Sequence, residues 1–309
     1  MTITVVGEAL VDVIERTGAV TPEEHPGGSP ANVALTLARL GHDTHLLTRL
    51  GTDARGARVA AHLARSGVQL VPGSMVAGRT STARALLDPD GAATYTFDLE
   101  WKLPEPLPPL PPGTVCVHTG SIATQLAPGA DQVARWCAAA RPTATISYDP
   151  NLRPSLIGTA EQVRPDVETS VAGADLVKLS DEDATWLAPG TDPEALAAGW
   201  LGTGQVGSGP AVVVLTRGGR GALALCAAGR VEVAPVPVAV ADTVGAGDSF
   251  SGALLNGLAQ EGLLGADRRE ALCGIDVSNL ERVVRHAARV AAITVSRPGA
   301  DPPTSAELG

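Results

Sequence analysis

Residues 242–248 read Asp-Thr-Val-Gly-Ala-Gly-Asp, and residues 249–255 continue as Ser-Phe-Ser-Gly-Ala-Leu-Leu. Phe250, Leu254 and Leu258 recur at the spacing of one helix face, so this stretch predicts a helix that begins at the small residues. The N-terminus of a helix has unpaired N–H groups and the positive end of the helix dipole. The sequence therefore predicts an anion site at the start of this helix.

The turn differs from a simple phosphate nest because it ends in an acid. Gly245, Ala246 and Gly247 have almost no side chain, so their backbone N–H groups can converge on a small anion. Asp248 adds a carboxylate at the mouth of the site, where it would repel a bound phosphate. A carboxylate at that position suits the removal of a proton from an attacking hydroxyl group. The alternative interpretation is an ordinary glycine-rich loop that an aspartate caps.

A second glycine-rich turn lies near the N-terminus, where Pro-Gly-Gly-Ser-Pro-Ala-Asn at 26–32 precedes an apolar helical stretch at 33–41. Gly27 and Gly28 let the backbone approach a ligand closely, and Asn32 offers both a donor and an acceptor. These groups suit a ligand with many hydroxyls, because hydroxyls need directional hydrogen-bond partners.

Two acidic residues, Glu8 and Asp12, follow the apolar strand-like run at 3–6. Their carboxylates could accept hydrogen bonds from the hydroxyls of the same ligand. The alternative is that each acid only solvates the end of a strand, and neither residue alone distinguishes the two interpretations.

The chain resembles the ribokinase-like (PfkB) family of carbohydrate kinases and, within that family, bacterial fructokinases. Seven segments in the family's order carry the resemblance: Gly7-Glu8-Ala9-Leu10-Val11-Asp12, the turn at 27–32, Arg49-Leu50-Gly51-Thr52-Asp53, Asp149-Pro150-Asn151-Leu152-Arg153, Lys178-Leu179-Ser180-Asp181-Glu182, Thr216-Arg217-Gly218-Gly219-Arg220-Gly221, and the stretch at 242–248.

Alternation of apolar strand-like runs with helical patterns favours an α/β fold with a mostly parallel sheet, flanked by helices on both faces. The resemblance implies a single ribokinase-like domain over 1–309, with a small β-sheet lid over the sugar site. The segments at 11–26 and 78–99, which we expect to be antiparallel strands with a hairpin tip at 88–91, would form this lid. We expect strands at 3–6, 44–50, 115–118, 144–148, 176–179 and 211–216, and helices at 31–40, 55–66, 131–140, 193–201 and 278–295.

The resemblance also implies roles for individual residues. Asp248 would accept the proton of the attacking hydroxyl, while the N–H groups of Gly245, Ala246 and Gly247 stabilise the transferring phosphoryl group. Arg153 would reach the path of that phosphoryl group, because a planar guanidinium suits bidentate phosphate binding. The sugar would lie against Glu8, Asp12, Gly27, Gly28, Asn32 and Asp248, and ATP against Lys178, Ser180, Thr216, Gly218, Gly219, Gly221, Gly245 and Gly247.

Metal ions form part of the same expectation. In the family, the region around Ser180 organises Mg²⁺ and phosphates through water, and Glu182 and Asp183 are the candidates to face the ion. An N-terminal capping box formed by Ser180 and Asp183 is the alternative for this segment. The resemblance places the ligands of a stimulating monovalent cation, K⁺, at Asp242 and Thr243.

Composition and charge exclude several classes of function. The net charge is −10 and only Lys102 and Lys178 are lysines, so no basic stripe suits nucleic acid. Bound ATP would need local positive charge from Lys178, Arg153, Arg217 or Mg²⁺. We expect a cytoplasmic protein, because the N-terminus lacks the basic region of a signal peptide and no apolar run approaches ~18 residues. The four cysteines are widely spaced, which favours free thiols over disulfides or zinc.

One motif is misleading. Gly-Thr-Gly-Gln-Val-Gly at 202–207 matches a dinucleotide-binding pattern, but a helix precedes it and a strand follows, which is the reverse of the required order. We therefore interpret this segment as a loop.

The expected substrate is D-fructose, with fructose 6-phosphate as the product. A 2-keto-3-deoxygluconate kinase would need a cation for the substrate carboxylate, and the lid offers Arg79 and Arg84. A ribokinase or a nucleoside kinase of the same fold are further alternatives, and only Tyr95 and Phe97 on the lid could hold a base. These two aromatic residues could instead pack two lids together in a homodimer. The alternative from another class is a non-catalytic regulator that binds sugar or nucleotide.

Overall fold

A nine-stranded sheet forms the centre of the protein, and helices cover both of its faces. The computed structural model describes residues 1–16, 21–87 and 93–309. The strands are β1 Thr2–Val6, β2 Leu10–Arg16, β3 Glu23–Gly27, β4 Asp43–Leu47, β5 Leu50–Gly51, β6 Val68–Leu70, β7 Met75–Val76, β8 Thr82–Leu87, β9 Ala93–Asp98, β10 Thr114–Gly120, β11 Thr145–Asp149, β12 Leu176–Ser180, β13 Val212–Thr216, β14 Ala222–Cys226 and β15 Gly229–Val233. The α-helices are α1 Ser29–Arg39, α2 Ala54–Arg65, α3 Gly129–Ala140, α4 Pro154–Ile157, α5 Ala160–Gly173, α6 Asp181–Leu187, α7 Pro193–Trp200, α8 Ala246–Gln260, α9 Arg269–Cys273, α10 Val277–Val295 and α11 Ser305–Leu308.

The central sheet has the strand order β15-β14-β13-β12-β11-β10-β1-β4-β6. Neighbouring strands from β13 to β6 are parallel, whereas β14 and β15 form an antiparallel hairpin at one edge. The parallel strands are nearly continuous apolar runs because both of their faces are covered. Val5, for example, packs in the same core as α1 and α8, whereas its neighbour Val6 packs with α3. The expected mostly parallel sheet between two helical layers is confirmed.

A second sheet of four strands, in the order β3-β2-β8-β9, forms the lid. The pairs β2–β3 and β8–β9 are antiparallel, but β2 and β8 are parallel. The expected antiparallel strands are confirmed within each of the two segments, and the parallel pairing of β2 with β8 joins the segments in a way that was not predicted. Each segment forms its own hairpin, and the two hairpins join through strands that point in the same direction. The predicted tip at 88–91 lies outside the described residues.

The carboxylate of Asp53 links the start of the second lid hairpin to α2. Asp53 caps α2 by accepting a hydrogen bond from the N–H of Gly56 at 2.8 Å. It also accepts hydrogen bonds from the N–H and Oγ1 of Thr80, at 3.0 and 2.6 Å. Thr80 lies two residues before β8, so these contacts set the position from which the second hairpin of the lid departs.

Several elements differ from the sequence-based expectation. The predicted strand at 44–50 leaves the central sheet at Leu47, and β5 pairs with β7 in a small separate sheet. The helix α5 and the hairpin of β14 and β15 were not predicted. The segment 202–207 is a loop between α7 and β13, as expected. Among the described residues, no helix is long and apolar enough to cross a membrane.

Candidate active site

The turn before α8 has the geometry of a helix N-terminus. Gly245 is the N-cap residue with φ 73°, and a Cβ added to it would lie 2.6 Å from the Cβ of Ala300. A side chain at Gly245 would therefore be strained by both the left-handed backbone and the close contact. Of the three N–H groups expected to bind an anion, that of Ala246 donates a long hydrogen bond of 3.3 Å to the carbonyl of Thr243.

The carboxylate of Asp248 is buried and held by side chains from α1. Ser29 Oγ donates to Oδ1 at 2.7 Å, and Asn32 Nδ2 donates to Oδ2 at 2.7 Å. Burial raises the pKa of Asp248, whereas the hydrogen bonds from Asn32 and Ser29 and the charge of Lys178 oppose that shift. The carboxylate is thus oriented by two donors whose residues are separated from it by more than 200 positions in the sequence.

The segment after β11 contributes to the same site. Asn151 has an unusual φ of 37°, and its Nδ2 donates to Ser29 Oγ at 2.7 Å and to Asp248 Oδ1 at 3.4 Å. The Nη1 of Arg153 donates to Asn151 Oδ1 at 2.7 Å and to the carbonyls of Asn151 and Leu152 at 3.0 Å. Within the described part of the chain, Arg153 has no carboxylate within ion-pair distance, so its exposed guanidinium is available to an anionic ligand.

Glu8 and Asp12 lie in the electrostatic field of this cluster. Glu8 is buried and accepts a hydrogen bond from the N–H of Ala123 at 3.2 Å, and burial raises its pKa to about 7. Burial also raises the pKa of Asp12 to about 6. The charge of Arg153 lowers both pKa values, and that of Asp248 raises them.

The glycines of the second turn are required by close approach. A Cβ at Gly27 would lie 2.0 Å from Asp12 Oδ2, and one at Gly28 would lie 2.6 Å from the carbonyl oxygen of Glu8. Gly28 also has φ 104° and is the N-cap residue of α1, from which Asn32 projects toward Asp248. The amino acids that the sequence predicts to bind the sugar therefore lie close to one another and to Asp248.

On the opposite side of the α8 turn, a lysine and an aspartate form a buried pair. Lys178 Nζ donates to Asp149 Oδ2 at 2.8 Å, and Ser251 Oγ donates to the same oxygen at 3.1 Å. A Cβ at Gly247 would lie 3.1 Å from Lys178 Nζ, so the ammonium lies against the anion turn.

Ser180 and Asp183 form the N-terminal capping box of α6, which the sequence analysis gave as the alternative interpretation of this segment. Ser180 Oγ accepts from the N–H of Asp183 at 3.0 Å, and Asp183 Oδ2 accepts from the N–H of Ser180 at 3.5 Å. Asp183 Oδ1 accepts from the N–H of Leu152 at 2.9 Å, so both of its oxygens have backbone partners. Glu182 is exposed and has no such partner in the described ranges. No group of three or more potential metal-binding side chains occurs among the described residues.

The turn after β13 is open on its outer side. Added Cβ atoms at Gly218 and Gly219 would meet nothing within 4 Å, whereas one at Gly221, with φ 85°, would lie 2.1 Å from the carbonyl of Val233. Thr216 Oγ1 donates to the carbonyl of Leu179 at 3.3 Å. Arg217 is not free to bind a phosphate, because its Nη1 donates to Glu194 at 2.8 Å and its Nη2 lies 3.7 Å from Glu232.

Asp242 fastens the loop before α8 to the segment after α10. Its Oδ1 accepts from the N–H of Val244 at 3.0 Å, and its Oδ2 accepts from the N–H of Gly299 at 2.8 Å. Thr243 lies at the same bend, and its carbonyl is the acceptor for Ala246.

Sequence reasoning missed Ser29 and Asp149 as parts of the site. Ser29 lies three residues before Asn32, so both project from one face of α1, and this spacing could have indicated it. Asp149 ends β11 and Lys178 lies inside the adjacent apolar strand β12, and an isolated lysine in such a strand needs a buried partner.

Comparison with known proteins shows the family to which the chain belongs. A family model described as pfkB family carbohydrate kinase matches residues 2–307. The chain is 34% identical over 267 residues to a fructokinase of Klebsiella pneumoniae, which is 84% of this chain and 85% of that protein.

Two solved structures of a fructokinase from Xylella fastidiosa are similar throughout. One has a TM-score of 0.81 at 26% identity and covers 99% of this chain and 97% of its own. The other, with bound ATP, has a TM-score of 0.77 at 27% identity and covers 97% of this chain and 93% of its own.

Proposed function

The chain belongs to the pfkB family of carbohydrate kinases, and from this membership we propose that it transfers the γ-phosphoryl group of ATP to a primary hydroxyl of D-fructose. The observation that carries the proposal is the buried carboxylate of Asp248 at the start of α8, oriented by Ser29 and Asn32 from the sugar side. The names of the similar fructokinases support the choice of sugar.

In the proposed reaction the sugar hydroxyl oxygen attacks the γ-phosphorus, and its proton passes to Asp248. The bond between the phosphorus and the departing ADP oxygen then breaks. Backbone N–H groups of Gly245, Ala246 and Gly247 stabilise the charge on the transferring group, as does the guanidinium of Arg153. The sugar lies against Glu8, Asp12, Gly27 and Gly28, and the lid excludes water that would otherwise compete as acceptor.

ATP lies along the open turn formed by Gly218, Gly219 and Gly221, with Thr216 and Ser180 at the strand ends beside it. The ATP bound to a similar fructokinase supports the choice of ATP as the nucleotide. Lys178 supplies positive charge near the phosphates, whereas Arg217 is already paired. A run of exposed valines just before the α8 turn offers apolar surface for the base: Val236, Val238, Val240 and Val244.

Mg²⁺ fits the acidic residues on the phosphate side. Carboxylate oxygens and water are the ligands that Mg²⁺ prefers, and the exposed carboxylate of Glu182 has no hydrogen-bond or ion-pair partner in the described part. Glu182 faces the ion in our proposal, because both oxygens of Asp183 accept hydrogen bonds from backbone. When bound, Mg²⁺ neutralises charge on the phosphates. Asp242 and Thr243 are the residues that would hold a monovalent cation, K⁺.

A neutral sugar fits the lid better than an acidic one. Arg79 pairs with Asp98 at 2.9 Å, and Arg84 pairs with Glu15 at 2.8 Å. Recruiting either guanidinium for a substrate carboxylate would break an existing ion pair, which favours D-fructose over 2-keto-3-deoxygluconate.

Steady-state kinetics with Mg-ATP tests the proposed substrate. We expect kcat/KM to be higher for D-fructose than for 2-keto-3-deoxygluconate, D-ribose or adenosine. A tenfold preference for any of these three, about 1.4 kcal/mol at the transition state, would contradict the choice of fructose and leave the kinase assignment intact. Absence of phosphoryl transfer to every sugar tested would contradict the catalytic function itself.

A further inference from the structure

Lys178, in the middle of β12, forms an ion pair with Asp149, the last residue of the adjacent parallel strand β11. Their side chains are only 6% and 1% exposed, so both charges lie inside the protein. The pair is joined by Ser251, which lies one helical turn after Asp248 on α8 and donates to the same oxygen of Asp149.

Some hydrogen-bonding atoms of this ion pair have no partner, so the pair by itself is a poor source of folding stability. Within the described residues the ammonium of Lys178 has one acceptor for its three N–H donors. The Oδ1 of Asp149 is buried and has no donor. Removing two charges from water costs several kcal/mol per ion, and that cost is offset only where the remaining hydrogen bonds are also made. Unfilled donors on a buried cation therefore indicate a ligand.

The unfilled donors are close to the anion turn. Nζ of Lys178 lies 3.1 Å from the position that a Cβ of Gly247 would take, and Gly247 has no atom there. The absent side chain leaves the ammonium open toward the start of α8, where the N–H groups of the first turn also point. An anion at that helix terminus would meet the backbone donors and the ammonium together.

We propose that Asp149, assisted by Ser251, is a positioning residue that holds the ammonium of Lys178 against the transferring phosphoryl group. This inference rests on the proposed function. As the sugar oxygen bonds to phosphorus and the ADP oxygen leaves, Lys178 keeps its three protons and donates hydrogen bonds to the phosphoryl oxygens. The sugar proton goes to Asp248, and Asp149 remains ionised and touches no substrate.

The first test compares Asp149→Asn with Asp175→Asn. Asp175 is a matched control, because it is also a buried carboxylate that pairs with cations, Arg269 at 2.9 Å and Arg141 at 3.3 Å, and it lies just before the opposite end of β12. We expect Asp149→Asn to lower kcat by about tenfold to a hundredfold and Asp175→Asn to change kcat less than about twofold, whatever each does to the melting temperature. Equal losses of kcat that follow the melting temperature would overturn the proposal.

A double-mutant cycle separates positioning from an independent role. If Asp149 acts through Lys178, Asp149→Asn in a Lys178→Met background should change kcat by less than about threefold, although it has a large effect alone. The same loss in both backgrounds would show that Asp149 acts by itself and would overturn the inference.

Nucleotide binding provides a readout that needs no sugar. Calorimetry should show that Asp149→Asn weakens a non-hydrolysable ATP analogue but leaves the affinity for ADP unchanged, because ADP lacks the group that Lys178 contacts. Equal weakening of both nucleotides, or of neither, would contradict the inference. If the native protein phosphorylates no sugar, the proposed function fails, and this comparison still decides the role of Asp149.

Discussion

At the residue scale, the proposed chemistry depends on the carboxylate of Asp248, whose burial and hydrogen bonds have opposite effects on its pKa. Burial disfavours the charged form of Asp248, while donors from Ser29 and Asn32 favour it. A proton acceptor needs this balance, because a fully solvated carboxylate would be a weak base and an unassisted buried one would stay protonated.

Replacement of Asp248 by asparagine keeps the shape of the side chain but removes its capacity to accept a proton. We expect turnover with D-fructose to fall by about 10²–10⁴-fold with little change in the affinity for ATP. Asp267→Asn, at a highly exposed position, is the control. Turnover close to that of the native protein would exclude Asp248 as the base.

Glu8 yields a prediction about pH and stability. Burial raises its pKa from 4.5 to about 7, so the folded protein binds this proton more tightly than the unfolded chain, and the free energy of unfolding falls as the pH rises from 4.5 to about 7. Glu8→Gln should therefore unfold with a higher free energy than the native protein at pH 8, by up to about 3 kcal/mol from the shift of 4.5 to about 7.

Urea denaturation at several pH values checks this prediction. The advantage of Glu8→Gln should shrink as the pH falls below 7 and vanish near the unfolded pKa of 4.5. Glu168→Gln on the surface of α5 is the control and should show no such trend. An advantage that is independent of pH would mean that glutamine improves packing and that Glu8 does not titrate as described.

At the scale of elements, the candidate site lies where the N-termini of two helices meet. The start of α1 supplies Ser29 and Asn32, and the start of α8 supplies Asp248. Gly252 allows this packing, because a Cβ there would lie 2.8 Å from the side chain of Thr36 on α1. The alignment of the two helices thus decides which donors reach the carboxylate.

Ser29→Ala tests the contact between these helices. Loss of the hydroxyl removes a donor that favours the ionised form, so the pKa of Asp248 should rise further. The acid limb of the pH profile of kcat should move to higher pH, and kcat at neutral pH should fall by about twofold to tenfold, consistent with one lost hydrogen bond. Thr169→Ala, on the exposed face of α5, serves as the control. If the acid limb does not move in Ser29→Ala, the proposed role of Ser29 is contradicted.

At the scale of the whole molecule, the proposed function requires an acidic protein to bind an anionic nucleotide. The net charge is −10, and Asp149, Asp183 and Asp248 surround Lys178 closely enough to raise its pKa against the opposing effect of burial. The phosphate side therefore has an excess of negative charge before ATP binds. A divalent cation reduces the resulting repulsion.

We expect Mg²⁺ to be obligatory and K⁺ to stimulate the reaction at least modestly. Initial rates should vanish with a chelator and return when Mg²⁺ is added back. Rates at constant ionic strength should be higher in K⁺ than in Na⁺. Activity that survives the chelator would contradict the requirement for Mg²⁺, and equal rates in the two salts would contradict the K⁺ site.

The homodimer through the lid stays a prediction, and light scattering can measure whether the protein is a dimer in solution.

Short stretches of the sequence predicted the turns, helices and strands on which the residues of the candidate site lie. The glycine turns, the helices α1 and α8 and the buried parallel strands follow from backbone freedom and periodic apolar residues, which act within a few positions. The helix α5 escaped prediction because its exposed face is polar and Pro165 lies inside it. The edge hairpin was also missed: β15 contains the polar residues Arg230 and Glu232 and lacks the continuous apolar pattern of a buried strand, whereas β14 has that pattern and was overlooked.

The sequence by itself determined the α/β class and the glycine-rich turn before α8, and it singled out Asp248 as the candidate proton acceptor, because each depends on short-range propensity or on a motif. Only the tertiary structure decided that Ser29 donates to Asp248 across 219 positions and that Asp149 pairs with Lys178. It also decided the parallel pairing of β2 with β8. The physical reason is that strand order and helix packing bring distant residues together, and the cost of burying polar groups then selects which of them pair.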